Sequence, residues 1–256
     1  MTDAIVLCYH ALSPTWQAAL STTPERFDEQ LALLTRRGYR GVTFSELVSS
    51  PDAGKTFAVT FDDAYLSVLE LARPILERHG LPATVFAPTD GVDAEGPLLW
   101  PGIDQWHGGP HERDLMPMTW SQLRSLAAAG WEIGSHTATH PHLTQIDDAA
   151  LGEELVRSKA RCEERMQSPC PTLAYPYGDV DVRVAAAAAA AGYRAAAALP
   201  GRLGGRDALL WPRIGVYCID DERRFRLKVS PTVRALRRAG QWAAAGTSAL
   251  LQRREG

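Results

Sequence analysis

Two carboxylates stand side by side at Asp62 and Asp63, directly after the run Phe57-Ala58-Val59-Thr60-Phe61. That run is too apolar for a surface, so the pair marks the end of a buried strand. Side chains alternate sides along a strand, and keeping both acids at one site requires the chain to turn there. The C-terminal ends of parallel strands are where α/β folds place active sites. Adjacent carboxylates repel each other, and a cation beside them keeps both ionised. Further ligands for a metal cation lie in Gly134-Ser135-His136-Thr137-Ala138-Thr139-His140, where two histidines four apart can converge from one helical turn or a tight loop. His-x-x-x-His alone fits a structural role equally well. Together with a carboxylate it suits Zn²⁺, or another divalent ion such as Co²⁺ or Ni²⁺, with water in the open position. A third segment, Ala174-Tyr175-Pro176-Tyr177-Gly178, sets a rigid aromatic turn after another apolar run.

The elements that must position these residues alternate between helix and strand. Ile5-Val6-Leu7-Cys8-Tyr9 reads as a buried parallel strand that delivers His10 to its end, where a lone histidine is either structural or catalytic. Residues 24 to 37 read as a helix with Thr23 as N-cap, Pro24 at the first position and Gly38 as the stop. Tyr39 to Phe44 then resumes extended structure. The unit of helix, glycine and strand recurs at Gly80-Leu81, Gly130-Trp131 and Gly192-Tyr193. A capping box at Thr119-Trp120-Ser121-Gln122 opens the helix before the histidine strand. Residues 147 to 167 and 179 to 191 complete the helices. Such alternation implies an α/β fold on a parallel sheet.

At its three chemical segments the chain resembles the polysaccharide deacetylases, the NodB-like domains of carbohydrate esterase family 4. The family's Thr-Phe-Asp-Asp-Gly reads as Thr60 to Ala64, its His-Ser/Thr-x-x-His as His136 to His140, and its Arg-x-Pro-Tyr-Gly as Ala174 to Gly178. The resemblance implies a distorted (β/α) barrel of about seven strands and metal-dependent removal of acetyl groups from an N-acetylated sugar or polysaccharide. It makes Asp62 the general base, Asp63, His136 and His140 the metal ligands, and the Tyr177 N–H an oxyanion donor. Ala64 replaces the family glycine, and Ala174 stands where an arginine should orient the base. Arg213, in Trp211-Pro212-Arg213-Ile214, is the expected substitute. The family's late Leu-x-His motif is missing, since no histidine follows His142. Leu7-Cys8-Tyr9-His10 resembles the Tyr-His opening of circularly permuted relatives, which implies His10 as general acid. O-acetyl esterase, another amide hydrolase of this fold, and a degenerate carbohydrate-binding domain are the alternatives.

Two stretches depart from the alternation. Residues 88 to 118 form a long loop with five prolines and with Trp100, Trp106, His107 and His111. Its tryptophans are either a wall of the substrate groove or a satellite core beneath the loop. From Glu222 onward nine basic residues face two glutamates. This separates a deacetylase domain, 1–221, from a basic helical tail, 222–256, which either packs on an acidic body or touches an anionic membrane. A formal charge of −3 gives no sign of a nucleic-acid partner. The four cysteines lack a paired spacing, and Cys8 and Cys218 read as small buried hydrophobes. No run reaches the length of a membrane span, so the expected location is cytoplasmic, with peripheral membrane association only if the tail is the part that touches lipid.

Overall fold

Apolar strands flanked by glycine-ended helices have one economical arrangement, a parallel sheet wrapped in helices, and the chain adopts it. The computed structural model describes residues 3–199 and 207–236. Its first half contains β1 (Asp3–Tyr9), β2 (Ala11–Leu12), β3 (Ser21–Thr22), α1 (Pro24–Arg36), β4 (Arg40–Val42), α2 (Phe44–Ser49), β5 (Lys55–Phe61), α3 (Arg73–His79) and β6 (Thr84–Ala87). Its second half contains α4 (Trp120–Ala128), β7 (Glu132–Ser135), α5 (Asp148–Met166), β8 (Thr172–Ala174), α6 (Val182–Ala190), β9 (Ala195–Ala198), β10 (Trp211–Pro212), β11 (Ile214–Gly215) and α7 (Glu222–Lys228).

The main sheet runs β10-β9-β8-β7-β6-β5-β1-β11, with β4 beside the first half of β5. Its two ends belong to one stretch of chain. Trp211 and Pro212 pair with Ala197 and Ala198 of β9, while Ile214 and Gly215 pair with Leu7 and Cys8 of β1. The segment around Arg213 therefore stitches the last strand to the first and brings the sheet round into a barrel. Backbone bonds from Arg213 to Ala198 and from Val216 to Cys8, each 2.9 Å, hold the two sides. Taken as one strand, the stitch makes a ring of seven, and β4 is the eighth.

Alternation along the strands sorts side chains between two cores. Val6, Ala58, Phe86, Ala174, Ala195, Ala197 and Trp211 fill the barrel, whereas Ile5, Leu7, Phe57, Val59 and Phe61 face the helices. The inward series on β5 is thus Thr56, Ala58 and Thr60, and it points on to Asp62. Gly134 is a tight point inside the barrel, because a Cβ there would lie 2.7 Å from the Phe86 ring and from Thr172 Oγ1. The far end of the barrel is plugged by α2, which begins at Phe44, the last residue expected to be extended. Thr43 and Glu46 form its capping box, Phe44 packs edge-on against Phe86 at 5.6 Å, and Glu132 accepts the Ser45 N–H at 2.9 Å.

The described part of the basic tail lies against the barrel. Phe225 and Val229 are buried in the helix-side core, Lys228 pairs with Asp220, and Arg226 pairs with Glu222. Arg234 reaches back to Asp3. Residues 237–256, which carry the other four basic residues of the tail, lie outside the described residues. Among the described residues no helix is long and apolar enough to cross a membrane.

Replacing Gly134 by alanine should overpack the barrel and lower stability by about 1–3 kcal/mol. Urea unfolding measures this, and an unchanged midpoint would contradict the close approach.

Candidate metal and catalytic site

The chain turns sharply after β5, as two acids serving one site require. Asp63 and Ala64 both have left-handed backbones, with φ of 69° and 54°. An alanine held there costs about 1–2 kcal/mol relative to a right-handed conformation. The turn is fixed by Met118 N–H donating to Ala64 O and Leu66 N–H to Met116 O, each 2.8 Å. The outcome is that two neighbouring carboxylates, both 2% exposed, face different partners.

Asp62 faces a guanidinium. Arg213 Nη1 donates to Oδ1 at 2.6 Å and Nη2 to Oδ2 at 2.7 Å, with Nη1 also 3.1 Å from Thr60 Oγ1. Thr60 in turn donates to Leu7 O at 2.8 Å, and the Cys8 thiol points at Asp62 Oδ2 from 3.4 Å. Burial alone would push this carboxyl upward, but Arg213 and then His136 outweigh it and hold it far below the usual range. Burial keeps Cys8 a thiol. Cys8, His10 and Asp62 also cluster within ligand reach, yet each Asp62 oxygen already accepts from Arg213, whose positive charge opposes a second cation at this trio.

Asp63 faces two imidazoles. Its Oδ1 lies 3.5 Å from His136 Nε2 and 3.3 Å from His140 Nε2, and the three ligand atoms sit within 4.8 Å of one another. Oδ1 is buried and accepts no hydrogen bond from the described residues. A buried acceptor aimed at two ring nitrogens is satisfied by an ion among them, and two nitrogens with one oxygen is a donor set for a divalent metal with an open position. His136 Nδ1 donates to Ala174 O at 2.8 Å, which leaves its Nε2 lone pair toward Asp63. Burial, against the pull of Asp62, pushes His136 down to about 4, so it is neutral as a ligand must be. The residues present fit the group.

The loop between the histidines is folded by a carboxylate that sequence reasoning missed. Glu154 of α5, 9% exposed, accepts Ala138 N–H at 2.9 Å, Thr139 N–H at 3.0 Å and Thr139 Oγ1 at 2.7 Å. These bonds hold Thr137 and His140 in left-handed conformations, φ 66° and 64°. The available signal was an acid beside Leu151, Leu155 and Ser158, which form the buried face of α5.

The sequence profile of the polysaccharide deacetylases matches residues 49–196, more than half of the chain. The chain belongs to the polysaccharide deacetylase family. Among similar proteins, YxkH of Bacillus subtilis is 25% identical over 231 residues, covering 88% of this chain and 71% of that protein. A poly-β-1,6-N-acetyl-D-glucosamine N-deacetylase of Staphylococcus aureus is 24% identical over 171 residues, covering 62% of this chain and 54% of that enzyme. In structure, the Streptococcus pyogenes deacetylase PplD, solved with acetate, superposes with a TM-score of 0.72 at 22% identity over 89% of this chain and 98% of PplD. The site is accordingly that of a metal-dependent hydrolase acting on amide bonds, with a cluster able to hold a divalent ion.

Around the deacetylase centre stand aromatic groups. His10 Nε2 lies 4.0 Å from Asp62 Oδ2, and its buried Nδ1 has no partner among the described residues. Tyr177, at φ 58°, meets His140 edge-on at 4.6 Å and stacks on His142 at 3.9 Å. Trp100 stacks on His140 at 4.2 Å. Trp106 instead packs edge-on against Trp16, over a satellite core of Ala11, Tyr65, Leu98, Ile103 and Leu115. His107 and His111 have separate partners, Leu98 O and Asp114.

The depressed His136 gives a pH signature in metal-free protein. Between pH 6.5 and about 4 the unfolded chain binds a proton that the folded chain does not, so stability falls as pH falls through that window. One such group contributes at most about 1.4 kcal/mol per pH unit. Urea unfolding across this range should show a shallower slope in His136→Asn, and an identical slope would mean that His136 is not buried neutral. The lowered Asp62 and Asp63 act in the more acid range, below their usual 3.8.

Proposed function

We propose that the chain removes acetyl groups from an N-acetylated glycan by hydrolysis of the acetamide, with Zn²⁺ as the metal. The observation that carries this reading is the division between the two neighbouring carboxylates, one clamped by Arg213 and the other facing His136 and His140. When bound, such an ion polarises an amide carbonyl and acidifies water. Asp62 is ionised at neutral pH, and its Oδ2 lies 4.0 Å from both His10 Nε2 and His136 Nε2. These gaps are too long for hydrogen bonds and the right span for a water between them, so Asp62 is placed to take that water's proton.

Arg213 positions Asp62 and keeps it charged, a task lysine's single ammonium cannot reproduce with two parallel bonds. His10, across Oδ2 from the metal residues, is the group to protonate the departing amine, the role implied by the resemblance of Leu7-Cys8-Tyr9-His10 to a Tyr-His opening. The Tyr177 N–H, held at the turn by Gly178 at φ 67°, is the oxyanion donor. Tyr177 and Trp100 flank the centre as its sugar-facing walls. An N-acetylglucosamine polymer is the substrate class in view, since the similar Staphylococcus aureus enzyme is a poly-N-acetylglucosamine deacetylase.

Acetate release from N-acetylglucosamine oligomers, measured beside bound metal, tests the reading. Asp62→Asn should keep the metal and lose at least about a hundredfold in turnover, in line with the loss of a general base. Arg213→Lys should lose turnover while retaining metal, and undiminished rates in either variant would remove that residue's role. His10→Ala should lose most activity on an acetamide and much less on an activated aryl acetate, whose leaving group needs no proton. Equal losses on both would make His10 positional rather than acidic. Activity on acetyl esters alone would favour the esterase reading.

A further inference from the structure

The two metal-facing histidines are held in different ways. His136 is oriented by a hydrogen bond from Nδ1 to Ala174 O at 2.8 Å. His140 has no such bond: its Nδ1 is buried and unpartnered among the described residues. Histidines that ligate metals almost always give their second nitrogen to a carbonyl, carboxylate or water, which fixes ring orientation and tautomer. Something else must orient His140.

Besides His136, edge-on at 4.9 Å, two aromatic rings enclose it. Trp100 lies on its face, centroids 4.2 Å apart and planes 19° from parallel, and Tyr177 meets it edge-on at 4.6 Å. Trp100 is itself held firmly. Leu98 and Ile103 on either side are buried in the satellite core, and Tyr177 Oη donates to Pro101 O at 3.3 Å. The indole is thus a fixed wall against one face of the imidazole, and rotation of His140 about its Cβ–Cγ bond would drive the ring into it.

We propose that Trp100 is a positioning residue for the metal: by stacking on His140 it does the orienting that a hydrogen bond does for His136. This rests on the reading of Asp63, His136 and His140 as metal ligands, and it assigns to the loop of residues 88–118 a role in ion binding separate from any contact with sugar. Stacking on an imidazole tolerates other aromatic rings, whereas an aliphatic side chain fills space without fixing the ring plane.

Zinc titration of apo-protein against a competing chelator is the test, with the thermal midpoint of each apo-protein recorded alongside. Trp100→Leu should weaken zinc binding about tenfold, the lower end of what loss of an orienting partner costs. Trp100→Phe should recover most of that loss. Trp106→Phe, in the same loop but packed on Trp16, should leave affinity unchanged. Zinc should alter the tryptophan fluorescence of wild type and of the Trp106 variant, and the change should be much reduced without Trp100. Wild-type affinity in Trp100→Leu would overturn this inference alone, as would an affinity loss that Phe does not restore. A wild-type protein that binds no zinc would overturn the metal reading and this inference with it.

Discussion

A guanidinium and a carboxylate are locked together at the seam of the barrel, both almost wholly out of water. Arg213 and Asp62 are 1% and 2% exposed and share two short bonds. Neither charge is tolerable there alone, because removing one partner of a buried pair typically costs about 3–5 kcal/mol. The rest of the site is arranged around that constraint. Thr60 accepts a further bond from Arg213 and itself donates to Leu7 O, and Phe86 lies under the guanidinium at 5.6 Å. With Asp62 bound to Arg213, the metal residues are left with Asp63, which the double left-handed turn swings to the other side.

The same constraint accounts for the alanine at position 174. An arginine entering from β8 and another from the seam would compete for one carboxylate in a barrel core made narrow by Ala58, Ala174, Ala195 and Ala197. With a small residue at 174 the core closes, and the backbone carbonyl remains available to orient His136. The charge that faces Asp62 comes from the seam between β10 and β11.

The metal residues were legible because their chemistry is local: adjacent acids after an apolar run, and two histidines within five residues. The parallel sheet was legible from repeated glycine stops, its closure into a barrel only through the family resemblance, and α1 and α4 begin at Thr23 and Thr119 as their caps require. Helix α2 was missed although Thr43 and Glu46 spell a capping box, because six residues give too short a pattern to register as a helix. Glu154 and the Cys8 contact were missed for a different reason. Each depends on which face of a helix or strand meets the site, and a glutamate on a charged helix looks the same whether it is solvated or caps a loop. Trp100 and Trp106 both pack against the satellite core, but of the two Trp100 stacks on His140 and Trp106 packs edge-on against Trp16, a distinction set by loop geometry.

Closure of the ring by a segment of five residues has a consequence for how the site comes into being. A chain emerging from the ribosome has presented both acids, both histidines and the Pro-Tyr-Gly turn before Arg213 appears, and the Arg213–Asp62 contact spans 151 residues. Contacts of such separation form late, after their loop-closure entropy has been met by other structure. An unclosed barrel is therefore a species in which Asp62 is either wet or protonated, since burial without the guanidinium favours the neutral acid. Asp62 holds its charge in a dry environment only once the last strand docks, so closure of the fold and completion of the site are a single event.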